Sequence, residues 1–183
     1  MTGGLVPAAV TAALRAILRE ALAAEELEGL LRGTEVSTLP PDRIEAEGGG
    51  SGLNLFCYRV VPRLDTRAAP RPRLARVGDD GEPDLALDLH YLLSAHTHED
   101  LAAELLLGVG VRCLEVAALD PSAVPPELME AGRLTQVLDG VLAGIERILV
   151  SPEPLSVEDM SRLWMSLGTP YRPSMTFRAT VRS

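Results

Sequence analysis

Residues 84–95 read DLALDLHYLLSA and form the most apolar strand candidate in this chain of 183 residues. Its apolar content predicts a strand at the centre of a sheet. Residues 53–61, LNLFCYRVV, are rich in β-formers and end at Pro62, so they predict a second strand. Residues 174–183, SMTFRATVRS, alternate apolar and polar side chains, which predicts a third strand with one buried face.

Helices and shorter strands are predicted around these three segments. Residues 6–22 carry apolar side chains at helical spacing, with Pro7 in the first turn, where its missing N–H is no loss. Residues 34–39 and 145–154 predict two further strands, and short helical turns are expected around 134–144.

Two helix starts carry a capping signal. Thr97 is followed three positions later by an acidic residue, which predicts a helix beginning at His98 with Leu101 among its buried positions. Ser156 has the same spacing and predicts a helix that ends at Gly168.

The order of these elements describes an α/β protein with one mixed β-sheet flanked by helices. A chain of this length holds one full hydrophobic core, so residues 1–183 are expected to form a single domain. Residues 42–52 contain GGGSG without the Lys-Ser/Thr pair of a phosphate loop, and they predict a flexible surface loop. Residues 62–83 predict a second loop, rich in Arg and Pro.

The charge of the chain is uneven. There are 26 acidic and 17 basic side chains, all of the latter Arg, and the net charge is −9. This balance argues against general affinity for nucleic acid. Residues 59–76, however, contain six Arg and one Asp, a local charge of +5, together with three prolines. Such a composition predicts an extended, exposed, cationic segment, and Arg suits bidentate contacts with carboxylates.

The chain offers little that resembles a reactive site. Three histidines would lie on one face of a continuous strand: His90, His96 and His98. Acidic residues follow His98 directly. The helix start predicted at Thr97 breaks their common face, so they are interpreted as strand-end and first-turn residues and not as a metal site. Ser94 lacks the G-x-S-x-G turn that exposes a nucleophilic hydroxyl. We therefore expect no catalytic residue, no metal and no cofactor.

Cysteine usage and hydropathy suggest the cytoplasm. Cys57 and Cys113 form no disulfide framework and lie in apolar surroundings typical of inert buried thiols. The chain has no unbroken apolar stretch of about 20 residues for a membrane span, and Arg15 and Arg19 interrupt the N-terminal apolar run, which argues against a signal peptide.

Two aromatic residues near the C-terminus allow two interpretations. Trp164 and Tyr171 could anchor a protein interface, or they could close the core where the last helix returns to the sheet. The second interpretation is favoured.

Five segments, in this order, resemble the cap (tail-terminator) family of phage-tail-like contractile injection systems. They are AVTAALRAILREAL (9–22), NLFCYRVVP (54–62), LALDLHYLLSAH (85–96), ELLLGVGVRCLE (104–115) and EPLSVEDMSRLWMSLGTPYRPSMTFRATV (153–181). The motifs D-L-H-Y-L-L and L-W-x-x-L-x-x-P-Y-R-x-S are the most specific parts of the resemblance. It spans nearly the whole chain.

The resemblance implies a structural protein without an active site. Family members are expected to form a homohexameric ring at the distal end of the inner tube, where they end polymerisation of tube and sheath and stabilise the extended sheath. The implied partners are a second copy of the chain, the inner tube protein and the sheath protein, without nucleic acid or membrane, and with cytoplasmic assembly into the particle. The candidate interface residues are Arg63, Arg67, Arg71, Arg73, Trp164, Tyr171 and Arg172.

Two departures from the family pattern affect these expectations. The loop DTRAAPRPR (65–73) keeps Arg67 but lacks the Asn expected beside it, which leaves the contact of that loop open. Some relatives continue into a further C-terminal region, whose function is not expected of this chain. Two alternatives stay open: another tail-end or baseplate adaptor of the same particle, and a small metal-dependent hydrolase that uses the histidines.

Overall fold

The computed structural model describes residues 3–24, 33–46, 50–63, 86–115, 118–119 and 133–182. Within these ranges the helices are α1 (Val6–Ala24, after a 3-10 turn at Gly3–Leu5), α2 (Pro41–Ala46), α3 (Ala102–Glu115), α4 (Arg133–Leu142) and α5 (Val157–Leu167). The strands are β1 (Glu35–Ser37), β2 (Gly52–Pro62), β3 (Ala86–His96), β4 (Ala118–Leu119), β5 (Arg147–Pro152) and β6 (Ser174–Arg182).

The six strands form one mixed sheet in the order β1-β2-β3-β6-β5-β4. β1 runs parallel to β2, and every other neighbouring pair is antiparallel. The predicted α/β fold with one mixed sheet flanked by helices is therefore confirmed.

β3 is the central strand that its sequence predicts. It pairs along its length with β2 on one edge and with β6 on the other. Every residue from Leu89 to Ala95 is buried, because helices cover one face of the strand and polar and aromatic side chains fill much of the other. The core-facing positions are apolar, including Leu89, Tyr91 and Leu93, whereas the opposite positions include His90 and Ser94, so this buried strand has one apolar and one more polar face.

One face of the sheet is apolar and packs against α1, α3 and α4. The core contains side chains of one parity from the three long strands, such as Leu55, Tyr91 and Phe177, together with the buried stripes of the helices. The Tyr91 hydroxyl lies 2.9 Å from Thr11 Oγ1, which itself donates to the carbonyl oxygen of Pro7. Tyr91 therefore donates to Thr11 and ties the central strand to α1. Burial raises the pKa of Tyr91, so its hydroxyl stays protonated as this bond requires.

The opposite face of the sheet is more polar. Asn54, Ser94 and Thr176 are buried there, and Asn54 and Ser94 lie opposite each other on β2 and β3. The Asn54 side-chain amide donates to the carbonyl oxygens of Ser37 and Leu39, at 3.3 and 2.9 Å. These two bonds connect β2 to the segment that follows the short parallel strand β1.

The start of α3 differs from the prediction. The helix begins at Ala102, not at His98, because the Thr97 hydroxyl accepts a bond from the N–H of Glu99 at 3.1 Å and lies 2.9 Å from the Ser51 hydroxyl. These contacts form a short turn in place of a helix cap. Leu101 has a φ of 62°, which no α-helix contains, and its side chain is 71% exposed, so its predicted burial is wrong.

The loop predicted over residues 42–52 is wrong for its first part. Pro41 opens the helix α2 and Gly52 already belongs to β2, while residues 47–49 lie outside the described residues. Pro is favoured at the first helical position because its missing N–H has no intrahelical acceptor there. From position 64 onward, the Arg/Pro-rich loop predicted over 62–83 lies outside the described residues. This part includes the sequence DTRAAPRPR (65–73).

The caps of α5 confirm the sequence prediction. Ser156 accepts a hydrogen bond from the N–H of Asp159, and Gly168 ends the helix in the left-handed conformation, with φ 65°. β1, β5 and β6 also fall within their predicted segments. β2 extends one residue beyond each end of its own, β3 ends one residue later than predicted, and β4 was not predicted. The local capping residues were sufficient to predict both ends of α5, because it begins and ends at exposed positions.

Two glycines in α3 differ sharply in their surroundings. A Cβ atom at Gly110 would lie 3.0 Å from Leu53 Cδ1 and from Leu93 Cδ2, whereas a Cβ at exposed Gly108 has no neighbour within 4 Å. We predict that Gly110→Leu destabilises the protein by about 2 kcal/mol or more, because the added side chain has no space between helix and sheet. Gly108→Leu should be neutral or stabilising by up to about 1 kcal/mol, through helix propensity.

Urea denaturation of both variants measures this difference. Equal stabilities would show that α3 does not approach the sheet as closely at Gly110 as described.

Candidate functional site

Trp164 anchors α5 to the polar face of the sheet. It is 3% exposed, the one buried residue of this helix, and its indole N–H donates to Ser174 Oγ at 3.2 Å. Its ring centroid lies 5.7 Å from that of Tyr171, which is 64% exposed. Trp164 therefore closes the structure where α5 returns to β6, as the favoured interpretation held, while Tyr171 lies at the surface.

Arg172 follows Tyr171 and is buried, with 8% exposure. Both residues line a pocket of about 180 Å³ next to the end of β3 and the start of α3. We call it the Arg172 pocket. Its lining residues are Ile44, Gly50, Ala95, His96, Thr97, His98, Ala103, Tyr171, Arg172 and Pro173.

His96 forms one wall of this pocket and lies over Gly52 of β2. A Cβ atom at Gly52 would come 2.9 Å from the His96 ring carbon Cε1 and would clash with the carbonyl oxygen of Glu35. Gly52 thus lets the ring lie against the backbone. Burial lowers the pKa of His96, and the positive charges of Arg172 and His98 lower it further. The His96 Nδ1 atom is buried without a hydrogen-bond partner in the described part of the chain.

The other predicted cation that the structure describes lies at the opposite end of the sheet. Arg63 follows β2, is half-exposed, and its Nε lies 3.8 Å from Asp88 Oδ2. Asp88 and Ser94 are six residues apart on β3, so the Arg63 end and the Trp164 end are separated by about 20 Å. The structure therefore brings Trp164, Tyr171 and Arg172 together and places Arg63 apart from them; Arg67, Arg71 and Arg73 lie outside the described residues.

A charged cluster near Arg63 was missed by the sequence analysis. His90 Nδ1 lies 2.5 Å from Glu153 Oε2, and Arg178 Nη1 lies 3.9 Å from the other oxygen of that carboxylate. The ring of Tyr58, at a β-bulge in β2, lies 6.0 Å from the His90 ring. Glu153 is 63 residues from His90 along the chain, so no local pattern could have shown the pairing. The sequence indicated only that His90 and Arg178 each lie on the polar face of their own strand.

The histidines do not converge on one centre. His90 pairs with Glu153, and His96 lies six residues further along β3, over Gly52. In the ranges that the structure describes, no three His, Cys, Asp or Glu side chains are arranged to hold a metal ion. The Ser94 hydroxyl is buried and has no partner among these residues, so it is not placed to act as a nucleophile.

The two cysteines are half-buried and unpaired with each other. Burial is the main cause that raises the pKa of both the Cys57 and the Cys113 thiol. Thiols of this kind are poor nucleophiles, which agrees with the prediction that both are inert.

The sheet, its three covering helices and the α5 anchor define an α/β protein with one mixed sheet. Residues 9–182 match the sequence model of the Pvc16 N-terminal domain, and the chain belongs to this family. No curated protein matches the sequence.

Two solved structures are similar to this one. The first is the sheath/tube terminator of PVC, an extracellular contractile injection system, in its extended state; the TM-score is 0.59 at 18% identity, over 95% of this chain and 54% of that one. The second is the tube-terminating cap of the anti-feeding prophage, with a TM-score of 0.46 at 15% identity, over 85% of this chain and 51% of that one. The chain spans about half the length of each. Of the helices described, none is long and apolar enough to cross a bilayer.

Trp164 and Tyr171 should respond differently to truncation. We predict that Trp164→Ala lowers the free energy of unfolding by about 3 kcal/mol or more, because it removes a buried ring and its hydrogen bond. Tyr171→Ala should lower it by about 1 kcal/mol or less, because the ring is mostly in water. Chemical denaturation checks both values, and a large loss for Tyr171→Ala would contradict its surface placement.

His96 should make the folded state less stable at acidic pH. Its pKa in the folded state lies below the ordinary value of 6.5, so the unfolded state binds more protons as pH falls through 6.5, and stability is lost there. We predict that His96→Gln reduces the loss of stability between about pH 7.5 and pH 5, measured as the denaturation midpoint at each pH. His98→Gln leaves the buried ring in place and removes only one of the smaller causes of the lowered pKa, so it should reduce this loss by less. An unchanged pH profile for His96→Gln would refute this assignment.

Proposed function

We propose that this chain is a cap, or tail-terminator, subunit of a contractile injection particle. In this role it forms a homohexameric ring at the distal end of the inner tube and sheath, ends their polymerisation and stabilises the extended sheath. The observation that carries the proposal is family membership over residues 9–182. The fold shared with a sheath/tube terminator supports it.

The two ends of the sheet suit a closed ring. Subunits in a ring associate through heterologous contacts, in which two different patches of the same protein meet. Here one end carries exposed Tyr171 beside the Arg172 pocket, and the other carries Arg63 and the beginning of the cationic segment. The exposed apolar residues Val157 and Met165 extend the first patch along α5. We propose that the Tyr171 end contacts a neighbouring subunit, and that the cationic segment contacts an acidic surface of a neighbouring subunit, the tube or the sheath.

The proposed role is structural and not enzymatic. His90 pairs with Glu153, His96 lies over Gly52, and burial raises the pKa of both cysteine thiols, so none of these described side chains forms an activated nucleophile. The proposed partners are the inner tube and the sheath, in a particle assembled in the cytoplasm, with no contact to nucleic acid or membrane.

Native mass spectrometry of the purified protein, with and without the inner tube of the same particle, tests this role. We expect a species of six subunits, and electron microscopy should show it at the ends of tubes. A stable monomer that is indifferent to tubes would contradict the proposal. Binding at the baseplate end instead would identify an adaptor of the same particle.

The cationic segment can be tested in the same experiment. The triple reversal Arg67→Glu, Arg71→Glu and Arg73→Glu should leave the thermal midpoint unchanged but abolish ring formation or tube binding, because the proposed contact is with an acidic surface. The matched control replaces the same three residues by Lys, which keeps the charge and should retain assembly at low salt. Normal assembly of the Glu variant would rule out this segment as the contact.

A further inference from the structure

The Arg172 pocket differs in charge from the rest of this acidic protein. The chain has 26 acidic side chains, yet none of the described residues that line the pocket is acidic. Its ionisable residues are Arg172, His96 and His98, with Tyr171 at the rim. A concave site of this composition attracts anions.

Arg172 is suited to hold a carboxylate in this pocket. Its side chain is more than nine-tenths buried, so a charge beside it is screened little by water. It already takes part in an interaction within the protein. A guanidinium carries five N–H donors in a fixed plane, and it can therefore serve an internal partner and a ligand together.

The state of His96 points to the same class of ligand. After burial, the nearby positive charges of Arg172 and His98 are the causes that lower its pKa. The positive charges of Arg172 and His98, which disfavour a proton on His96, attract a negatively charged group into the pocket. The same electrostatics therefore favours binding of a carboxylate.

The size of the pocket limits its occupant. A volume of about 180 Å³ is below the roughly 300–1,000 Å³ of sites for drug-sized ligands and cofactors. It suffices for a single carboxylate-bearing side chain. The exposed Tyr171 ring at the rim, held by its contact with the Trp164 ring, offers a rigid aromatic surface beside which a peptide backbone can pass.

We propose that the Arg172 pocket binds the carboxylate of a Glu or Asp side chain in a segment of a partner protein, with Arg172 as the charged contact and Tyr171 packing against the adjoining peptide. The site stands on its own geometry and does not depend on the role as a cap.

Peptide titration followed by NMR tests the site on the intact chain. One probe is the blocked pentapeptide acetyl-Gly-Ser-Glu-Ser-Gly-amide, and the matched control peptide carries Gln in place of Glu. We expect the Glu peptide to shift the ring signals of His96 and His98 and to bind about tenfold or more tightly than the Gln peptide, the ratio expected for a charge-assisted hydrogen bond.

Two variants locate the contact. Arg172→Gln should remove the preference for Glu over Gln. Arg178→Gln, in the middle of β6 and not among the residues that line the pocket, should keep it. Since Arg172 is buried and its replacement could unfold the chain, Tyr171→Ala provides a second variant, which should weaken both peptides by the same factor and leave the ratio intact.

Three results would overturn the proposal. Equal affinity for the Glu and Gln peptides would exclude a carboxylate contact, and the absence of shifts at either histidine up to the solubility limit would exclude binding in this pocket. Inorganic phosphate that displaces the Glu peptide at equal or lower concentration would assign the pocket to small free anions. None of these results bears on ring formation or tube binding, so the cap role would be judged separately.

Discussion

The rest of the structure depends on the double pairing of β3. Its backbone groups are bonded to β2 on one edge and to β6 on the other, and its residues are buried on both faces. A buried strand must satisfy every N–H and C=O group, and the two antiparallel neighbours do so over nearly its whole length. The hydroxyl of Tyr91 then fixes this strand to α1 through Thr11. The positions of helices and site residues follow from this frame.

The two faces of the sheet differ in polarity and in what they contact. The apolar face carries the hydrophobic core beneath α1, α3 and α4, which supplies the main driving force for folding. The polar face carries the His90–Glu153–Arg178 cluster near the middle of β3 and β6 and the Trp164 anchor at the Ser174 end. Because α5 contributes one buried residue, most of its surface remains available to a partner. The proposed ring contact would use this surface.

Local chemistry explains why some elements were predictable and others were not. The caps of α5 lie at exposed positions, where no tertiary contact competes with the Ser156 hydroxyl. Thr97 carries a similar signal, but its hydroxyl meets Ser51, which is 46 residues away along the chain. That contact and the positive φ of Leu101 delay the helix by four residues. A capping signal predicts a helix start only where its side chain has no competing partner.

The sequence by itself determined the central strand, the caps of α5, the mixed sheet and the family, because these depend on hydropathy, on local hydrogen bonds and on the order of segments. Through the family resemblance it also placed Tyr171 and Arg172 among the candidate interface residues. Only the tertiary structure decided that Arg172 is buried beside His96, that His90 pairs with Glu153, and that Trp164 is core while Tyr171 is surface. Such pairings depend on which strands become neighbours, and local sequence patterns do not reveal contacts between residues far apart in the chain.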